Sequence, residues 1–341
     1  MTPPSHAVPE ESLPAGGPSP DAEAVSRDAT TTTAPRPEPE AIFIVGVPRS
    51  GTTLMRMVLG KHSRIAIADE NHYMGHRIPR NGVRHIVRRM GDLRDDDAIR
   101  RLVGHLYSDE FQGGSRLRNP SQFWRWLSRQ VPRADLERRL LAGERTERGV
   151  FTAVLRAYAD RKRKAVFGEK TPAHIRWADT LLEWYPGGRV VHMVRDPRAV
   201  YRSELKRRNA RPETYPYRVL TRVPVLMRAF VVIEVVEAWA SAVAHHRSLS
   251  RRHPDRYMII RFEDLVREPE AEIDRLCRFL GVTLEPAMFE QKVVSRGDRL
   301  GEEGFDAGAA DRWRTSISPG EVRWLGRLLG RRIEEMGYSR L

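Results

Sequence analysis

The sequence predicts an α/β protein with three layers, a central parallel sheet between two layers of helices. Three observations carry that reading. Continuous apolar runs bounded by Gly, Pro or charge recur along the chain: Ala41-Ile42-Phe43-Ile44-Val45-Gly46-Val47, Ile65-Ala66-Ile67-Ala68, Ala165-Val166-Phe167-Gly168, Val190-Val191-His192-Met193-Val194 and Tyr257-Met258-Ile259-Ile260. Such runs suit strands buried on both faces. Segments of helical periodicity lie between them, for example Leu54, Met57 and Val58, and later Leu325, Leu328, Leu329 and Ile333. Strands alternating with helices make a parallel sheet, whose ligands bind at the carboxyl ends of the strands.

Residues 1–39 stand apart from this pattern. They hold 9 of the 23 prolines and contain no Phe, Trp, Tyr or Ile. Such a segment buries too little apolar surface to offset its ordering entropy, so a disordered Pro-rich tail is expected before a domain over 40–341. Within that domain, 72–164 is dense in charge and poor in strand signals, and it contains Trp124 and Trp126. A mostly helical insertion on the acceptor side of the sheet is expected there.

Composition narrows the function classes. The formal net charge of +14 favours an anionic partner without choosing among nucleotide, nucleic acid, membrane surface and acidic acceptor. The single Cys277 excludes an intramolecular disulfide and a Cys-based metal or redox pair, and its spacing from Ile273 and Leu280 makes it a core residue. No basic start followed by an apolar run is present at the N-terminus. The longest apolar stretch, 223–244, is broken by Arg228, Glu234 and Glu237, which argues for a partly buried helix against a membrane span. A cytoplasmic protein with no transmembrane segment is the expectation. Arg198, Arg202, Arg207, Arg208, Arg211, Arg218 and Arg222 have only sparse aromatic interleaving and no recognised nucleic-acid motif, so no nucleic-acid partner is expected.

The chemistry begins at the first strand tip. Gly46-Val47-Pro48-Arg49-Ser50-Gly51-Thr52-Thr53 follows a strand and opens a helix through Leu54-Met55-Arg56. Helix-start amides and the helix dipole make an anion site, Gly51 lets the backbone approach closely, and Ser50, Thr52 and Thr53 add hydroxyl donors. Gly46 and Gly51 have the spacing of a nucleoside-triphosphate loop, but Thr52 stands where its lysine is required. Arg49 is the strong cation here. A P-loop-like fold without NTPase chemistry follows, and a kinase or other nucleotide-binding protein is the alternative.

Val47-Pro48-Arg49-Ser50-Gly51-Thr52-Thr53-Leu54-Met55-Arg56 resembles the 5′-phosphosulfate loop of sulfotransferases that use 3′-phosphoadenosine 5′-phosphosulfate (PAPS), and is similar in particular to the tyrosylprotein branch and its bacterial relatives. The resemblance implies a transferase that moves a sulfuryl group from PAPS to an acceptor hydroxyl, with Arg and Lys in place of a metal. Val194-Arg195-Asp196-Pro197 ends a strand and starts a helix, and Ser203 lies about two turns further on. The resemblance gives Arg195 and Ser203 the 3′-phosphate. Phe167-Gly168-Glu169-Lys170-Thr171-Pro172 ends another strand, and Lys170 matches the lysine that neutralises the departing oxygen. Among Asp69, Glu70 and His72, the resemblance assigns Glu70 as general base, with His72 as runner-up. Arg312, beside Trp313, matches the basic residue that closes over the donor, and Ser318 with Glu321 forms a capping box for a last helix. Phe262 stands where several relatives carry Tyr, which removes a hydroxyl donor. The acceptor stays open among small molecule, natural product, carbohydrate and peptidyl tyrosine.

Overall fold

A computed structural model describes residues 36–75, 82–113, 121–210, 217–220, 222–291 and 302–339. Five strands form one sheet: β1 (Ala41–Gly46), β2 (Ile65–Ala68), β3 (Val166–Lys170), β4 (Arg189–Val194) and β5 (Tyr257–Arg261). Their order is β2-β3-β1-β4-β5, and every pairing is parallel. All five expected apolar runs are strands, each within a residue or two of the expected limits.

The period-two alternation of β1 divides the interior. Ala41, Phe43 and Val45 enter one core, while Ile42 and Ile44 enter the other. The first core joins these β1 residues with the helices that, among the described residues, lie between β2 and β3, running from Val83–Arg89 to Glu147–Arg161. The second packs it against Met55, Val58 and Leu59 of the Thr52–Lys61 helix and against Ile273, Leu276 and Cys277 of the Pro269–Leu280 helix. Helices on both faces of a parallel sheet make the three-layer α/β/α fold that the sequence predicts. Cys277 is buried, as its spacing requires.

A third core gathers Val47, Val194 and Tyr201 with Trp239 of the long Pro224–Arg252 helix and Leu325 of the Pro319–Leu329 helix. The long helix is the one read from the apolar stretch at 223–244, and among the described residues no helix is long and apolar enough to cross a membrane. Ser318 and Glu321 form the expected reciprocal cap.

The expected tail lies outside the described residues except for its last four. Those are attached to the domain: Arg36 donates to the Asp255 carbonyl at 3.0 Å, and Glu38 accepts two hydrogen bonds from Arg64 at 2.7 Å each.

Chain direction sets the site. From β1 the chain crosses to β2 and β3 on one side and then to β4 and β5 on the other. The order therefore reverses beside β1, and the crevice opens at the carboxyl ends of β1 and β4.

Candidate active site

The loop after β1 turns sharply into the Thr52–Lys61 helix. Arg49 and Gly51 both have positive φ, 74° and 98°. Gly51 is the N-cap, and no side chain caps the helix. Its first amides are left for an anion. Two constraints fix glycine there. The left-handed backbone is strained for any side chain, and a Cβ would lie 2.5 Å from the Phe262 ring. Ser50 is fully buried, and its hydroxyl has no hydrogen-bond partner. A buried hydroxyl without a partner beside uncapped amides fits an anionic group held in the loop.

Arg195 leaves the tip of β4 and lies over the Phe262 ring, with its guanidinium carbon 3.9 Å from the ring centre. It donates to the Arg49 carbonyl at 3.3 Å and to the Ala309 carbonyl at 2.8 Å, and its Nε has no partner. Burial, with Arg49 and Arg202 adding repulsion, pushes its pKa down to about 10, so it stays charged at neutral pH. Asp196 pairs with Arg198 and leaves Arg195 to the crevice. Ser203, in the Pro197–Ala210 helix that follows β4, accepts from Arg49 Nε at 2.9 Å. Arg195, Ser203 and Arg49 thus meet, with Arg49 as the link between the two phosphate positions read from the sequence.

A cleft of about 1210 Å³ takes in Arg49, Gly51, Thr52, Thr53, Glu70 and His72 with Arg195, Ser203 and Arg312. Arg202 lines it as well, a residue the motif reading passed over because it lies between the two motif positions. Burial and the neighbouring Arg312 both disfavour its charge. Arg312 is paired with Asp306. Residues 292–301, before it in the chain, lie outside the described residues.

The cleft also takes in Glu70, one of the two carboxylates that follow β2. Lys170, only 3% exposed, lies 2.8 Å from Asp69 and 2.7 Å from Glu70. Lys170 and Glu70 are brought together from 100 positions apart. Burial alone would raise the Asp69 carboxyl, but Lys170 and then Arg56 outweigh it and hold the pKa below its usual value. His72 sits at φ 50° with Nε2 3.6 Å from Glu70. Burial holds its imidazole below the usual range, against the pull of Glu70. His72 is therefore neutral at neutral pH.

A buried network fixes this loop. Glu169 faces away from Lys170 by strand alternation, and its carboxylate accepts from Thr171 and from Asn71 Nδ2 at 3.2 Å and lies 2.7 Å from His174 Nδ1. His174 Nε2 accepts from the Met74 amide at 3.3 Å. From the helices beyond, Trp124 donates to the Asn71 carbonyl at 2.7 Å, and Tyr73 donates to the Glu147 carbonyl at 2.7 Å. The region 72–164 therefore holds the residues on either side of His72. Among the described residues, no group of three or more His, Cys, Asp or Glu side chains is placed to hold a metal ion.

Comparisons with known proteins bear on this geometry. Mouse carbohydrate sulfotransferase 4 is 29% identical over 167 residues, covering 44% of this chain and 41% of that protein. The omega-hydroxy-beta-dihydromenaquinone-9 sulfotransferase of Mycobacterium bovis is 27% identical over 140 residues, covering 40% and 33%. The chain thus matches less than half the length of either relative. Among solved structures, the sulfotransferase domain from the curacin biosynthetic pathway aligns with a TM-score of 0.52 at 21% identity, over 89% of this chain and 99% of that one. The corresponding domain of the Synechococcus PCC 7002 olefin synthase aligns with a TM-score of 0.51 at 20% identity, over 89% and 97%. These two likenesses establish the fold. A sequence model described as the sulfotransferase family matches residues 39–286, a span that takes in Arg49, Glu70, Lys170, Arg195 and Ser203. The chain belongs to the sulfotransferase family.

Proposed function

We propose that the protein transfers a sulfuryl group from PAPS to the hydroxyl of an acceptor. The observation that carries the proposal is the convergence on one cleft of two phosphate-type positions, the Arg49–Thr53 loop and Arg195 with Ser203, together with Glu70, which is paired with the buried Lys170. A simple nucleotide needs one such position, whereas a 3′,5′-bisphosphate needs two. Thr52 in place of the loop lysine counts against a kinase.

In this reading Arg49, Ser50, Gly51, Thr52 and Thr53 hold the 5′-phosphosulfate, and Arg195 with Ser203 holds the 3′-phosphate. Arg312 exchanges Asp306 for the donor when the cleft closes. The acceptor oxygen attacks sulfur in line while Glu70 takes the acceptor's proton. The bond from sulfur to the bridging oxygen breaks, and its electron pair goes to that oxygen. Lys170 neutralises the charge that develops there. Taking up a proton removes the negative charge of Glu70, which frees Lys170 from one of its two partners as that charge appears. His72 is the second candidate for the base. The names of the relatives, one set acting on carbohydrates and one on a lipid quinone, favour a small-molecule or carbohydrate hydroxyl over a protein tyrosine. The absence of any disulfide requirement at Cys277 supports a cytoplasmic setting.

Titration calorimetry with adenosine 3′,5′-bisphosphate and with ADP tests the donor site. Tight binding of the first and weak binding of the second is the expected result, and equal binding sinks the proposal. Turnover is then read as the mass gain of one SO₃ on hydroxyl acceptors.

A further inference from the structure

The arginines that line the cleft differ in what balances their charge. Arg176 is ion-paired with Glu237, Arg207 with Glu204, Arg208 with Glu204 and Glu234, and Arg312 with Asp306. Arg195 and Arg202 have no such partner. Arg195 donates to backbone carbonyls. Arg202, half-buried, has neither an ion pair nor a hydrogen bond among the described residues. Taking a guanidinium partly out of water without a counter-charge is unfavourable, so its place in the cleft calls for an anion.

Helix geometry relates Arg202 to the donor positions. It precedes Ser203 in the Pro197–Ala210 helix, and Ser203 accepts from Arg49. It also lies four residues after Arg198, so the two share a helix face. Arg198 lies over the ring of Trp313, the neighbour of Arg312 in the chain, at 4.3 Å. Arg202 is close enough to Arg195 and to Arg312 for their charges to repel. Arg312 is balanced by Asp306, which leaves the charges of Arg195 and Arg202 open. Together they match a phosphate monoester, which carries about 1.5 to 2 negative charges at neutral pH. A ribose hydroxyl would leave both unbalanced. We propose that Arg202 is a specificity-determining residue, which with Arg195 holds the 3′-phosphate of the donor and sets a preference for a 3′,5′-bisphosphate over a 5′-phosphate alone. The inference rests on the PAPS reading of the cleft and adds to it a cation that the sequence motifs do not supply.

Titration calorimetry of the full chain with adenosine 3′,5′-bisphosphate and with adenosine 5′-monophosphate, which differ by the 3′-phosphate alone, tests it. The parent should prefer the bisphosphate. Arg202→Gln should weaken the bisphosphate about 10- to 100-fold and leave the monophosphate within about twofold. Arg202→Lys keeps the charge without the two-pronged donor and should lose less. Arg207→Gln is the comparison. It removes a positive charge from the same helix and cleft, but one already paired with Glu204, and should leave the ratio of the two affinities unchanged. Thermal melting checks that each variant folds. Equal weakening of both nucleotides by Arg202→Gln, weakening of neither, or an equal change of the ratio in Arg207→Gln overturns the proposal, while the parent's own preference would keep the reading of Arg195 and Ser203. A parent that binds the two nucleotides alike overturns that reading and the proposal with it.

Discussion

The loop side of the cleft, which we propose holds the donor, and the side that carries Glu70 are built by opposite means. Arg49, Ser50, Gly51, Thr52 and Thr53 are contiguous, and Arg195 and Ser203 belong to one strand-to-helix passage. Their geometry follows from local backbone: a left-handed turn, a helix start and a strand tip. On the Glu70 side Lys170 meets Glu70 across 100 positions, and Asn71 and Tyr73 are held by helices inserted between β2 and β3. The loop side thus presents backbone amides, while the Glu70 side rests on buried side-chain networks. This difference teaches where each end is vulnerable: the first to changes of backbone conformation, the second to loss of charge balance.

If that contrast holds, changes at the two ends separate binding from turnover. Glu70→Gln should show the largest effect, a fall of about 10²–10⁴-fold in kcat with adenosine 3′,5′-bisphosphate binding unchanged. His72→Asn with a smaller loss would keep Glu70 as the base, and a larger loss would exchange their roles. Arg49→Ala should lower turnover by about 10²–10³-fold and, unlike Glu70→Gln, should also weaken the bisphosphate.

Gly51→Ala probes the backbone side of the contrast. Its Cβ meets Phe262 at a φ of 98°, so it should cost about 1–3 kcal/mol of stability, read by thermal melting, and abolish bisphosphate binding. Adding Phe262→Ala should recover part of the stability, because the collision is removed and only the backbone strain is left. Phe262→Ala alone removes the surface on which Arg195 lies and should weaken bisphosphate binding about 3- to 30-fold. Phe262→Tyr should keep the affinity, since the ring is retained.

The smallest effect is expected away from both ends. His192 is buried in β4, with Nδ1 2.6 Å from the Tyr257 hydroxyl, and burial pushes its pKa down to about 3. The unfolded chain takes up that proton near pH 6.5, and the folded chain only near 3, so stability is lost as pH falls below 6.5. By pH 5 the loss from this group is about 2 kcal/mol. His192→Gln should flatten the dependence of melting temperature on pH between 6.5 and 5, and an unchanged slope would assign the acid sensitivity to other groups.

The sequence by itself determined the sheet and the donor loop. Apolar runs such as Ile42 to Val45 exclude water on both faces and so pair as interior strands, and a strand that ends at Gly46 and is followed by Gly51, Thr52 and Thr53 turns into a helix. Both are consequences of neighbours along the chain, which is why they could be read from it. Tertiary structure decided the rest. Phe262 is an apolar residue in the sequence and the support of Arg195 in space. Ser203, read as the partner of Arg195, also meets Arg49. Lys170 is held by two carboxylates, where the sequence offered one lysine and three separate candidates. Those arrangements depend on the order β2-β3-β1-β4-β5, which brings strand tips together that are far apart in the chain, and no local pattern encodes which tips will be neighbours.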